Sequence, residues 1–208
     1  MNSIGLAVAG KRGMMKKLLV LLALMAAPSW AEDKPVNITR DTASVTIPLP
    51  DGTAEIRRIG DNDHRIGDDW GRTSRACPPF CIQPISPAPG VTTIGELELI
   101  ELLQDPEVVV MDSRTPEWFE GGSIPGAINV PYTQVIDHLG EFGCDIDFDG
   151  YVCENPNRVA LFCNGNWCGQ SPTAIRNMIE AGFPADHIYY YRGGMQAWRL
   201  LGLTVTGE

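Results

Sequence analysis

The sequence predicts an α/β fold around a central parallel sheet, preceded by a small β-rich N-terminal segment. Helix and strand signals alternate from Val91 onward, the pattern of strand–helix–strand units that lay down a parallel sheet. Residues 108–111 and 158–163 are short, almost wholly apolar runs of the kind buried on both faces. Residues 32 to 60 alternate like strands between turns.

In chain order, residues 36–39, 44–47 and 54–57 read as strands, with Asp51-Gly52 as turn material. A polar passage rich in Gly and Asp runs to Arg75. Cys77-Pro-Pro-Phe-Cys81 and a loop with Pro84, Pro87 and Pro89 follow. Residues 32–90 are too short for a robust independent domain and are expected to lie against the main domain, residues 91–208. There, residues 96–103 carry helical spacing, and the strand at 108–111 ends in Asp112-Ser113-Arg114. Thr115-Pro116 and Ser171-Pro172 each read as an N-cap followed by proline. The second opens a helix to about Ala181, with Ile175, Met178 and Ile179 on one face. Residues 187–191 form a further strand and 195–201 a closing helix.

Residues 1–31 read as a removable secretory signal. Lys16 and Lys17 precede an apolar run at 18–27, and Ser29-Trp30-Ala31 places small residues at the cleavage positions. The run is shorter than the about 20 residues that span a bilayer, so no membrane span is expected after removal. The mature chain, 32–208, is expected in the periplasm or outside the cell. Losing Lys11, Arg12, Lys16 and Lys17 takes the formal charge from −10 to −14. No basic cluster remains, which argues against nucleic acid and anionic membranes as partners.

All six cysteines lie beyond the cleavage site, in a compartment where disulfides persist. Sequence proximity groups them as Cys77 with Cys81, Cys144 with Cys153 and Cys163 with Cys168, one of the 15 full pairings that six cysteines allow. Cys163 ends an apolar strand, and the helix signal starts at Ser171. Ligands of open α/β sheets bind beyond the carboxyl ends of strands. A loop there, closed by a helix N-terminus, can direct backbone N–H groups at a thiolate, so a lowered pKa is expected for Cys163. The same cradle suits a small sulfur-containing anion.

The chain resembles the rhodanese family. Asp112-Ser-Arg114 followed by Gly122-Ser-Ile-Pro-Gly-Ala127 resembles its upstream signature, Leu161-Phe-Cys163 the strand that delivers its catalytic cysteine, and Gly193-Gly-Met-Gln-Ala-Trp198 its C-terminal motif. The resemblance runs from Val91 to about Val205. It implies a three-layer fold and Cys163 as the residue that carries sulfur as a persulfide. Asn164, Gly165, Asn166, Trp167, Cys168, Gly169, Gln170 and Ser171 would form the substrate-binding loop.

Two departures stand out. Ser123 replaces the family's usual histidine, and the loop is long, holds no cation, and has Gln170 where an arginine often precedes the serine. Anion binding would rest on loop amides and on Arg114, Arg176 or Arg192, although the counterpart of Arg114 in the family makes a structural ion pair. Related cysteine phosphatases carry Cys-x5-Arg. Gly169 occupies that place here, so the fork that grips a phosphoryl group is missing.

Cys168 is a candidate resolving thiol that could close a disulfide on Cys163, or a residue that packs beneath the loop. Trp167 either shapes an apolar lip at the sulfur or fills core. Cys77 and Cys81, and Cys144 and Cys153, are candidate disulfides. Asp145, Asp147 and Asp149 match the start of a calcium loop, but Pro156 stands where a bidentate glutamate belongs, so a stapled acidic loop is expected. His64, His138 and His187 show no ligand spacing, and none is placed as a base for Cys163. The chemistry calls for no metal and no cofactor.

The expected activity is transfer of sulfane sulfur from thiosulfate or a related donor to a thiol or cyanide. The alternative is a periplasmic redox or partner-binding module with a Cys163–Cys168 disulfide, docking a protein through the N-terminal segment.

Overall fold

The structure, a computed structural model, describes residues 34–207 apart from Asp149. The expected signal, residues 1–31, lies outside the described residues. Strands β1 (Ser44–Leu49) and β2 (Gly52–Arg57) form an antiparallel hairpin in which Leu49 pairs with Gly52. The alternation at 36–39 does not produce a strand. Instead the Ile38 and Thr39 amides close a turn on the Thr42 carbonyl at 2.9 and 3.2 Å, and Ile38 packs against the core.

The main sheet takes β3 (Thr92–Ile94), β4 (Val108–Asp112), β5 (Ile128–Asn129), β8 (Arg158–Phe162) and β9 (Ile188–Tyr191) in the order β3-β9-β8-β4-β5. Every pairing is parallel. Helices α1 (Glu96–Leu102), α2 (Pro116–Glu120), α3 (Gln170–Glu180) and α4 (Gly194–Leu200) supply the connections and flanking layers.

Strand periodicity sorts the core into two layers. On β8, Val159 and Leu161 face the cluster of α3, with Ala174, Ile175 and Met178. Ala160 and Phe162 face the opposite cluster, with Leu99 of α1 and Met195 and Trp198 of α4. The hairpin completes that second layer: Ile47 and Ile56 are fully buried there, each burial worth about 1.5–3 kcal/mol. Beyond β2, Arg58 bridges Leu203, and the Thr204 amide bonds the Arg57 carbonyl at 3.0 Å. The N-terminal segment is thereby joined to the C-terminal tail.

The acidic loop forms a second hairpin, β6 (Asp145–Asp147) and β7 (Gly150–Val152), stapled by the Cys144–Cys153 disulfide. Cys77 and Cys81 are also bonded, leaving Cys163 and Cys168 as free thiols. No helix among the described residues is long and apolar enough to cross a membrane.

Candidate active site

Cys163 follows the last residue of β8, the central strand, so its backbone is fixed on both sides by β4 and β9. The first turn of α4 holds the next peptide units: the Met195 amide donates to the Cys163 carbonyl at 2.9 Å and the Gln196 amide to the Asn164 carbonyl at 3.0 Å. That approach requires glycine at 194. Its φ is +56°, and a Cβ there would overlap the Cys163 carbonyl oxygen and lie 2.7 Å from the Gly165 nitrogen.

The sulfur of Cys163 is buried, its residue only 2% exposed. Ser171 donates its hydroxyl to Sγ at 3.0 Å, and the thiol donates to the Cys168 carbonyl at 3.3 Å. Ser171 is not the N-cap that its Ser-Pro sequence suggests. Helix α3 starts at Gln170 with Gly169 as the cap, so the serine hydroxyl is released to face the sulfur.

The two free thiols are neighbours across the loop, and each shifts the acidity of the other. Backbone amides of Gln170 and Asn164 point at the Cys168 sulfur, and the Asn164 side-chain amide reaches it at 3.9 Å. The Cys168 thiol also faces Gln170 Oε1 at 3.4 Å. Burial, followed by the neighbouring Cys168, pushes the Cys163 pKa well above the ordinary thiol value. The hydrogen bond from Cys163, followed by those amides, brings Cys168 down to about 7 despite its burial. The expectation of a lowered Cys163 is therefore corrected: burial raises Cys163, and it is Cys168, where the loop amides converge, that is lowered.

A cavity of about 340 Å³ opens onto this loop. Phe80, Trp118, Tyr132 and Trp167 wall it, and Cys168 and Gln170 are exposed to it, whereas Cys163 is not among its lining residues. Trp167 thus forms an apolar lip. Its ring meets Phe80 edge-on with centroids 5.2 Å apart, and its indole N–H donates to Gln196 at 2.6 Å.

The three arginines expected as anion contacts are engaged elsewhere. Arg114 is fully buried and pairs with Asp112 at 2.6 Å, while also bonding the Gly122 carbonyl and approaching Asn164 Oδ1 at 3.5 Å. Ser123 completes that cluster by donating to Asp112 at 2.6 Å. Arg176 is exposed on α3 and bonds Thr173, and Arg192 donates to the carbonyls of Gln83 and Pro84.

A further cation meets the tip of the loop from outside it. The Arg75 guanidinium sits 4.3 Å from the Trp167 ring centroid and 5.4 Å from that of Phe80. Its neighbour in the chain, the Cys77–Cys81 staple, is the sole local signal in the sequence that this stretch is held in place. The Gln83 amide then bonds the Asn166 carbonyl at 2.8 Å, so residues 75–83 form one wall of the site. Asp145 and Asp147 lie in β6 and Asp149 lies outside the described residues. No group of three acidic, histidine or cysteine side chains that could hold a metal occurs among the described residues.

A parallel sheet covered on both faces, with a cysteine loop between its central strand and a helix N-terminus, defines an α/β protein of the rhodanese-like fold. The model of the rhodanese-like domain matches residues 96–201, and the chain belongs to that family, whose general activity is sulfur transfer. It is 27% identical over 216 aligned residues to an HTH-type transcriptional regulator of Mycobacterium tuberculosis, covering 97% of this chain and 88% of that protein. It is 34% identical over 109 residues to a tRNA uridine(34) hydroxylase of Teredinibacter turnerae, over 50% of this chain but only 30% of that one. Among solved structures, a thiosulfate sulfurtransferase from Pseudomonas aeruginosa superposes with a TM-score of 0.42 at 24% identity, covering 55% of this chain and 20% of that one.

Proposed function

We propose that the protein is an exported sulfurtransferase that moves sulfane sulfur from thiosulfate, or a related small sulfur anion, to a thiol acceptor through a persulfide on Cys163. The observation that carries this reading is the Ser171 hydroxyl 3.0 Å from Cys163 Sγ at the end of the central strand. Cys163 gives its proton to the neighbouring Cys168 thiolate and attacks the outer sulfur of thiosulfate. The S–S bond of thiosulfate breaks, sulfite leaves with the electron pair, and Cys163 holds the outer sulfur. An acceptor thiolate then attacks that sulfur and Cys163 leaves as thiolate. Loop amides between Asn164 and Ser171 support the charge, in place of the missing loop arginine.

Intact mass after exposure to thiosulfate tests this on the wild type and on Cys163→Ser. One added sulfur in the wild type alone is expected. No adduct and no turnover with Cys163 free and reduced would remove the reading.

The contact between the thiols supports a second reading, a redox module cycling through a Cys163–Cys168 disulfide without efficient thiosulfate turnover. The same spectra, taken before and after reduction and alkylation, count that bond.

A further inference from the structure

We propose that the sulfane sulfur passes from Cys163 to Cys168, and that Cys168 delivers it to a thiol borne on an aromatic or apolar body seated in the neighbouring cavity. The inference rests on the Cys163 persulfide proposed above and adds the path out and the class of acceptor.

Both thiols are buried, Cys163 at 2% and Cys168 at 5% exposure, but only Cys168 lines the cavity. A sulfur left on Cys163 would have to be reached through the loop. The Cys163 sulfur lies 3.3 Å from the Cys168 carbonyl and the Asn164 side-chain amide 3.9 Å from the Cys168 sulfur. The backbone amides of Asn164 and Gln170 also converge on that sulfur, where they would stabilise a terminal persulfide anion. The cavity walls, Phe80, Trp118, Tyr132 and Trp167, offer ring faces and edges and no positive side chain. Such walls favour an apolar guest over a small hydrated ion.

The step balances without an added oxidant or reductant. Cys168, protonated during loading, first returns that proton to the outer sulfur of the Cys163 persulfide. The resulting Cys168 thiolate attacks the same sulfur, forming a new S–S bond on Cys168. The S–S bond to Cys163 breaks, and Cys163 leaves with the electron pair and takes the proton of the outer sulfur. The persulfide anion now on Cys168 picks up a proton from the acceptor thiol. The resulting acceptor thiolate attacks the outer sulfur and carries it away, and Cys168 leaves as thiolate.

The test loads wild type, Cys163→Ser, Cys168→Ser and Trp118→Ala to completion with thiosulfate. It then maps the sulfur by rapid alkylation and peptide mass, and follows single-turnover unloading to 2-phenylethanethiol and to 2-mercaptoethanol. The expected result is sulfur on Cys168 in the wild type and on Cys163 in Cys168→Ser. Unloading to 2-phenylethanethiol should be at least about tenfold slower in Cys168→Ser. In Trp118→Ala, which keeps both thiols, the preference for 2-phenylethanethiol over 2-mercaptoethanol should shrink by about tenfold. Sulfur found only on Cys163 in the wild type, with Cys168→Ser unloading as fast, overturns the relay and leaves the Cys163 reading intact. No loading of the wild type, or equal loading of Cys163→Ser, overturns both.

Discussion

The guanidinium of Arg75 lies 4.3 Å from the ring of Trp167, so the tip of the cysteine loop is gripped by a residue from outside the region that defines the family. The contact is largely shielded, the Arg75 side chain being 5% exposed, and a cation–π pair so placed contributes about 0.5–2 kcal/mol. Arg75→Ala should speed amide hydrogen exchange across residues 164–168 and slow sulfur loading, with little change at β6 and β7. Unchanged exchange in the loop would show that Trp167 holds its place without the arginine.

The thiols should titrate in the order the geometry sets. Cys168, brought down to about 7 by Cys163 and the loop amides, should be alkylated by iodoacetamide at a rate half-maximal near that pH and falling below it. Cys163, whose pKa is raised by burial, should resist until well into the alkaline range. Because the folded value of Cys168 is depressed, its contribution to stability is present above the unfolded thiol pKa and is lost as pH falls through about 7. Peptide mapping that found Cys163 labelled first would reverse this order.

Ser171→Ala removes the hydroxyl donor from Cys163 Sγ. A hydrogen bond to a developing thiolate is worth about 1.5–3 kcal/mol, so the loading rate should fall roughly tenfold to a hundredfold. Circular dichroism should stay unchanged, since α3 is capped at Gly169 and not by this side chain.

Asp112 and Arg114 are both fully buried and bonded at 2.6 Å. Asp112→Asn leaves a buried guanidinium without its counter-charge and should cost about 3–5 kcal/mol, read as a fall in Tm. Ser123→Ala removes one hydrogen bond from the same cluster and should cost about 1 kcal/mol.

Gly194→Ala should lower stability in urea by at least about 3 kcal/mol, because the new methyl overlaps the Cys163 carbonyl. An alanine variant as stable as wild type would mean that α4 can retreat from the loop without loss.

Strand β8 and its terminal Cys163 were legible because a short apolar run ending in cysteine before a helix start has few other meanings. The hairpin was legible from alternation around Asp51-Gly52, but the same alternation misled at 36–39, where no strand among the described residues pairs with it. Ser171 was recognised as a helix-start residue, yet its role changed because the helix begins one residue earlier and turns the hydroxyl inward. The cavity walls were not legible at all. Phe80, Trp118, Tyr132 and Trp167 come from four separated stretches, and no local pattern announces that they meet. Nor could spacing reveal which thiol carries the charge, since that depends on burial depth and on where the loop amides point.

The clasp between β2 and the C-terminal tail has a consequence for the order in which the chain can become native. Arg57 and Thr204, bonded at 2.9 Å, are 147 residues apart. Trp198 and Leu203 help to cover Ile47 and Ile56. During synthesis β1 and β2 must therefore wait for residues 198–204 before their inner faces are shielded, and such distant pairings form late. A hairpin that stays unshielded until a stretch 147 residues away is made suits the export proposed above.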